Sequence, residues 1–237
     1  MNVQTAIARP EPIKFRSSDF FLLKEAGAFA GFIKSELLDG ELWGVPVGRE
    51  QEPDYDSSFP IKLRIADYEL LGRSGAFEGY RRTELIDGVV YAMNPQHRPH
   101  GFAKDELAYR LRRALEALQS NLHVATEQSV ALEPRSEPQP DIILTTEPRG
   151  EGPIPGKSVA LVIEISDSSL RLDLNVKTHI YAAAGVAEYW VVDVDAATIH
   201  QMWNPAGNGY SDSLKVRFGD PISAATLPGL RVDTKAL

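Results

Sequence analysis

Val159-Ala160-Leu161-Val162-Ile163-Glu164-Ile165-Ser166 decides the fold of this chain, read together with Pro140-Asp141-Ile142-Ile143-Leu144 upstream of it. Both stretches are short and rich in β-branched residues. The first is a near-continuous apolar run, the pattern of a central strand covered on both faces. Each carries one carboxylate that its apolar surroundings do not explain. A carboxylate in such a place is costly to desolvate unless it is paired, protonated or bound to a cation. Two of them on neighbouring strands point to a divalent cation. Downstream, Asp173, Lys177 and Tyr181 stand four residues apart, along one face of a helix.

Working outward, the helix over 176–184 stops near Gly185, a C-cap residue, and 188–194 (EYWVVDV) reads as another buried strand, with 198–203 continuing the sheet. Upstream, residues 100–119 form the clearest helix, with Leu107, Leu111, Leu115 and Leu118 as its apolar stripe. Residues 124–132 read as a strand or a pair of strands, 84–93 as a hairpin turning at Asp87-Gly88, and 65–71 as a short helix. The fold class expected is α/β, with a mixed central sheet flanked by helices.

The front of the chain repeats itself. DFFLLKEAGAFAGFIKSELLDGELWGV (residues 19–45) aligns with DYELLGRSGAFEGYRRTELIDGVVYAM (67–93) at a constant offset of 48, with 11 identities in 27 ungapped positions. This reads as a duplicated helix–hairpin unit. Residues 46–60 (PVGREQEPDYDSSFP) are polar and Pro-rich and read as a linker. The expected organisation is an N-terminal extension over 1–60, containing the first copy and the linker, followed by the main domain over 61–237. The extension is expected either to pack on that domain or to serve a subunit contact.

Composition narrows the chemistry. With 237 residues and no cysteine, the chain has no disulfide, thiolate nucleophile or Cys-type zinc site. No Gly-x-Ser-x-Gly and no Gly-rich phosphate loop is present. No apolar run spans a bilayer and the N-terminus lacks a secretory pattern, so a cytoplasmic protein without membrane contact is expected. A net charge of −8 and a pI near 5.2 argue against coating nucleic acid by bulk electrostatics. They leave room for a local contact in which a cation neutralises active-site acids. His97, Arg98, His100, Lys104, Arg110, Arg112 and Arg113 form one basic cluster. The competing reading of it is a solvated helix face balanced by Glu106 and Glu116.

Taken in order, these pieces resemble one known family. Glu84-Leu85-Ile86-Asp87-Gly88, Pro99-His100, Pro140-Asp141, Ile163-Glu164-Ile165, the run Arg171, Asp173, Lys177, Tyr181, and Gly185 to Asp193 (GVAEYWVVD) are similar to the Uma-type branch of the PD-(D/E)XK, restriction-endonuclease-like superfamily. The resemblance covers about two-thirds of the chain. It implies a restriction-endonuclease-like core and a metal-dependent endonuclease that hydrolyses phosphodiesters with a metal-activated water. The expected cofactor is Mg²⁺ or Mn²⁺. The expected partner is nucleic acid, DNA in the first instance, with a homodimer compatible with the pattern. The chain departs from the superfamily at Ser166, where a lysine is usual; the resemblance implies that Lys177 takes that role from the next helix. It also reads Ser166-Asp167-Ser168-Ser169 where the branch usually has Ser-Pro-Ser-Thr.

The resemblance implies these roles. Asp141 and Glu164 would ligate the metal with the Ile165 carbonyl. Lys177 would orient or deprotonate the attacking water, with Asp173 orienting the lysine. Glu84 would be an additional acid, while Glu36, its counterpart in the first copy, is a structural echo. Each has a plainer competitor: Asp141 as a turn cap, Glu164 paired with a core cation, Lys177 in an i, i+4 ion pair with Asp173, and Glu84 on a wet hairpin face. His100 could contact phosphate or substrate, against the plainer reading of a helix N-terminal residue, and Tyr181, Tyr189 and Trp190 read as packing. The alternative function is a catalytically weak or inactive nuclease-fold protein that binds nucleic acid or protein and serves assembly.

Overall fold

The computed structural model of the chain describes residues 10–48 and 58–237. They divide into two compact units, one formed by Pro10–Met93 with Pro134–Ser136, the other by Asn94–Glu133 and Glu137–Leu237.

The first unit holds two helix–hairpin segments. The elements of the first are β1 (Glu11–Pro12), α1 (Ser17–Glu25), β2 (Phe32–Leu38) and β3 (Glu41–Pro46). Those of the second are β4 (Phe59–Pro60), α2 (Ile65–Arg73), β5 (Thr83–Ile86) and β6 (Val89–Ala92). Local chemistry is the same in both. Asp19 and Asp67 sit at the third position of their helices and accept the backbone N–H of Arg16 (2.8 Å) and Arg64 (2.9 Å), closing matching capping boxes. Asp39-Gly40 and Asp87-Gly88 make the two-residue turns with positive φ at both residues (47° and 73°, 45° and 72°), as a type I′ hairpin demands.

The correspondence runs further back than residue 19, to Glu11 and Phe59, and it is reciprocal. β1 pairs with β6 of the second segment, and β4 pairs with β3 of the first. Ile13 N–H donates to the Val90 carbonyl (2.9 Å), and Ile61 N–H to the Leu42 carbonyl (2.8 Å). Each hairpin is thus completed by the strand that opens the other segment. The boundary expected at residue 60 therefore cuts through a unit rather than between two. Of the expected linker, residues 49–57 lie outside the described residues, and Phe59–Pro60 form a strand.

The second unit is an α/β layer structure. It begins with α3 (Arg98–Ala117), β7 (His123–Thr126), β8 (Val130–Ala131), β9 (Ile142–Thr145), β10 (Ile154–Pro155) and β11 (Val159–Ser166). A helical passage follows: α4 (Leu170–Leu172), a π-helical turn over Asp173–Lys177, and α5 (Thr178–Ala183). Then come β12 (Glu188–Asp193), β13 (Thr198–Ala206), β14 (Gly209–Arg217), β15 (Ile222–Ser223) and β16 (Arg231–Val232). The six-stranded sheet runs in the order β14-β13-β12-β11-β9-β7. Only β11 and β12 are parallel, joined by the helical passage, and the other pairs are antiparallel. This is the mixed sheet expected of the α/β class.

Alternation along β11 distributes its side chains between two faces. Leu161, Ile163 and Ile165 join Leu107, Leu111 and Leu115 of α3 in the main core, together with Ile142, Leu144, Trp190 and Val192. Val162, Glu164 and Ser166 face the other way. The β13–β14 hairpin extends the sheet beyond the strand expected at 198–203, because β14 is mostly exposed and carries little apolar signal.

Candidate functional site

Asp141 and Glu164 meet because of register. β9 and β11 pair antiparallel with Ile143 opposite Val162 and Ile142 opposite Ile163. The next step along that ladder sets Asp141, just before β9 begins, opposite Glu164. β11 there lacks a strand neighbour for the Ile165 amide, and the Asp141 carboxylate substitutes for one: Ile165 N–H donates to Asp141 Oδ2 at 2.8 Å. In an extended strand the N–H and C=O of a residue leave by the same edge. The Ile165 carbonyl therefore leaves by the edge that carries Asp141.

The other oxygen of Asp141 is held from α3 and the residues before it. His100 Nε2 lies 2.9 Å from Asp141 Oδ1, and Gln96 Nε2 donates to the same oxygen at 2.9 Å. Lys104, one turn along α3, donates to Gln96 Oε1 at 3.0 Å and to Glu127 Oε1 at 2.8 Å. Burial pushes the Asp141 carboxyl up. The His100 hydrogen bond and charge, the Ile165 amide and the Lys177 charge outweigh it and hold the carboxyl below the usual range. The Lys104 hydrogen bond likewise holds Glu127 low.

Glu164 is managed by the helical passage. Lys177 Nζ donates to Glu164 Oε1 at 2.9 Å and the Tyr181 hydroxyl donates to it at 2.8 Å. Asp173 stands 3.7 Å from the same ammonium through Oδ1, while its Oδ2 accepts the hydroxyls of Ser166 (2.7 Å) and Ser169 (2.5 Å). Burial raises the Asp173 carboxyl despite the Lys177 charge and these two hydroxyls. Burial likewise pushes the Tyr189 phenol well up. Lys177 closes the π-helical turn. Such turns insert an extra residue into helical pitch and occur often at functional sites.

Asp141, Glu164, Ile165 and Lys177 thus come together in the second unit. Glu84 belongs to the first unit, buried on β5 and ion-paired with Arg82 rather than on a wet hairpin face; Glu36 is half-buried and ion-paired with Lys34 at 2.9 Å. Asp141 is not a turn cap, since its partners are long-range. Tyr181, read as packing, donates to Glu164 and so touches the site. His100, read as a helix-terminal residue, is buried against Asp141. Gln96 and Glu127 were not singled out by sequence, and Lys104 only as part of the basic cluster. Their shared signal is spacing: Gln96, His100 and Lys104 stand four apart across the start of α3. The rest of that cluster disperses, with Arg110 bonded to Glu106 and to the carbonyls of Asp233 (2.6 Å) and Lys235 (2.8 Å).

Among the described residues no group of three or more His, Cys, Asp and Glu side chains is disposed to hold a metal ion. The donors still suit a hard divalent cation. They are oxygens, two of them buried carboxylates at facing positions, and each carboxylate has about four lone-pair sites. Mg²⁺ commonly takes only one or two carboxylates, the rest of its shell being water and phosphate oxygen. Among the described residues no helix is long and apolar enough to cross a membrane.

The family model Uma2, described as "Putative restriction endonuclease", matches residues 65–235. Among solved structures, the chain is similar to a "putative nuclease belonging to DUF820" from Anabaena variabilis. The two share 16% identity over 60% of this chain and 80% of that one, with a TM-score of 0.47. Comparison with curated proteins gives no match.

Proposed function

The chain belongs to the Uma2 family, and from the nuclease character of that family we propose that it is a metal-dependent endonuclease acting on nucleic acid, in the first instance DNA. The observation that carries this reading is the pair of buried carboxylates, Asp141 and Glu164, at facing strand positions with Lys177 bonded to one of them. Asp141, Glu164 and the Ile165 carbonyl would hold Mg²⁺ or Mn²⁺. When bound, the cation would polarise the scissile phosphate and lower the pKa of a coordinated water.

The protein's own residues account for the rest. Tyr181 holds Glu164, and Glu164 in turn fixes Lys177 Nζ so that its remaining N–H groups are directed; an ammonium at that point stabilises charge gathering on the phosphate oxygens. Lys177 thereby does from a helix what a lysine at position 166 would do from the strand. Ser166 instead holds Asp173. The His100 hydrogen bond favours the ionised form of Asp141, and His100 and Gln96 together hold it in one orientation.

The test is cleavage of single- and double-stranded DNA with Mg²⁺ or Mn²⁺ by wild type, Asp141→Ala and Lys177→Ala. Metal-dependent cutting lost in both variants supports the reading. Cutting that survives Lys177→Ala removes the lysine from catalysis. Absence of cutting in wild type with either metal replaces the proposal with a binding or assembly role on the same fold.

A further inference from the structure

We propose that the first helix–hairpin segment carries a docking site for an extended protein segment of the type Pro-x-Ser, built like the site that the second segment fills from within the chain. In the second segment three backbone amides converge on Pro134–Ser136. Ile65 N–H donates to the Pro134 carbonyl at 3.0 Å and Gly88 N–H to the Arg135 carbonyl at 2.7 Å. Asp87 N–H donates to Ser136 Oγ at 2.9 Å. These donors are free to act because of where they sit. Ile65 opens α2, where the helix has no acceptor for its amide, and Asp87 and Gly88 form the turn, outside the hairpin ladder. The occupant suits them: proline brings no donor of its own, and the two carbonyls and one hydroxyl that follow meet three N–H groups.

The first segment repeats these donors at Ser17, Asp39 and Gly40. Ser17 opens α1 as Ile65 opens α2, and the φ angles of the two turns agree to within 2°. The rim is repeated too, Lys14 reaching Asp39 as Lys62 reaches Asp87. Among the described residues no acceptor meets the amides of Ser17, Asp39 and Gly40. The apolar neighbour differs in the same sense: Leu38 is 50% exposed where its counterpart Ile86 is 1% exposed. Three donors held in place by a helix start and a turn need no ordering on binding, so a matching segment binds without that cost. The occupant is an extended protein segment because the internal template is one. This inference stands on the first unit alone and does not depend on the nuclease reading.

The experiment uses the full-length ¹⁵N-labelled protein and the synthetic hexapeptide Leu-Glu-Pro-Arg-Ser-Glu, residues 132–137. Titration is expected to shift the amide signals of Ser17, Asp39 and Gly40 saturably while those of Asp87 and Gly88 stay in place. Ser17→Pro deletes one donor at the first helical position, where proline is accepted, and Arg16 before it is already extended (φ −92°, ψ 164°). That variant is expected to keep its fold and weaken peptide binding about two- to tenfold, the worth of one hydrogen bond. Three results overturn the proposal: no saturable shift at the three amides at large peptide excess, shifts confined to Asp87 and Gly88, or unchanged affinity in Ser17→Pro.

Discussion

Lys177 Nζ lies 2.9 Å from Glu164 Oε1, and both side chains are withdrawn from water, at 2% and 4% exposure. A buried ion pair is weak evidence of stabilisation, but removing one partner strands the other, at about 3–5 kcal/mol. Lys177→Met is therefore expected to lose both cleavage and stability. The double variant Lys177→Met/Glu164→Gln, which removes the charge stranded on Glu164 but leaves Asp173 without its cation, is expected to regain part of the stability and none of the cleavage. Urea unfolding of the two variants beside a cleavage assay separates the structural from the chemical share. If the double variant is as unstable as the single one, the pair does not act as a unit.

The orientation of Asp141 depends on Gln96 and, through it, on Lys104. Lys104 is a pure donor, so it turns the oxygen of the Gln96 amide toward itself and leaves the NH₂ for Asp141. Gln96→Leu and Lys104→Met are both expected to weaken Mn²⁺ binding, by about 10–100-fold if Asp141 is a ligand. Isothermal titration calorimetry measures this without any substrate. Unaltered Mn²⁺ affinity in both variants would show that the chain of contacts from Lys104 to Asp141 does not set the carboxylate.

The two strand carboxylates are legible in the sequence, and the reason is chemical. A charge inside an apolar strand is an anomaly that sequence displays openly, as at Asp141 and Glu164. What stayed hidden depends on geometry without local signal. The π-helical turn that ends at Lys177 leaves no mark on hydrophobic periodicity, so the sequence reads Asp173, Lys177 and Tyr181 along one face of a regular helix, whereas the passage begins at Leu170 and is π-helical from Asp173 to Lys177. Gln96 becomes informative only when the start of α3 meets Asp141, just before β9. The division of the chain was misplaced because β1 pairs with β6, some eighty residues later, and no composition shift announces a reciprocal exchange. The two-residue strands carry too few positions for any pattern to register.

Asp173 offers a test through pH. Burial raises its carboxyl above the ordinary value despite the Lys177 charge and the Ser169 and Ser166 hydroxyls. A carboxyl raised in the folded state contributes stability that is full below its unfolded value and is lost as pH rises through its folded value. Asp173→Asn cannot ionise and carries no such loss. The stability of the variant relative to wild type is thus expected to increase as pH rises from about 4 upward, read from denaturant midpoints across a pH series. A constant difference across the series would mean that Asp173 titrates alike in both states.

Glu188, at the start of β12, anchors the segment after β15. Its Oε1 accepts Trp190 Nε1 (2.6 Å), Gln201 Nε2 (2.7 Å) and the Ala225 amide (3.1 Å), and its Oε2 accepts the Thr226 amide and hydroxyl, both at 2.8 Å. Five donors and no acceptor call for a carboxylate, which only accepts. Glu188→Gln keeps the shape but turns an NH₂ group toward either three donors or two. Each buried donor left without an acceptor costs about 1–3 kcal/mol. The variant is expected to unfold at lower urea and to exchange the Ala225 and Thr226 amide hydrogens faster than wild type, with exchange in β11 following only the global loss. Equal exchange at Ala225 and Thr226 in the two proteins would mean that the C-terminal segment is held by its apolar contacts, through Ile222 and Leu230, and not by this carboxylate.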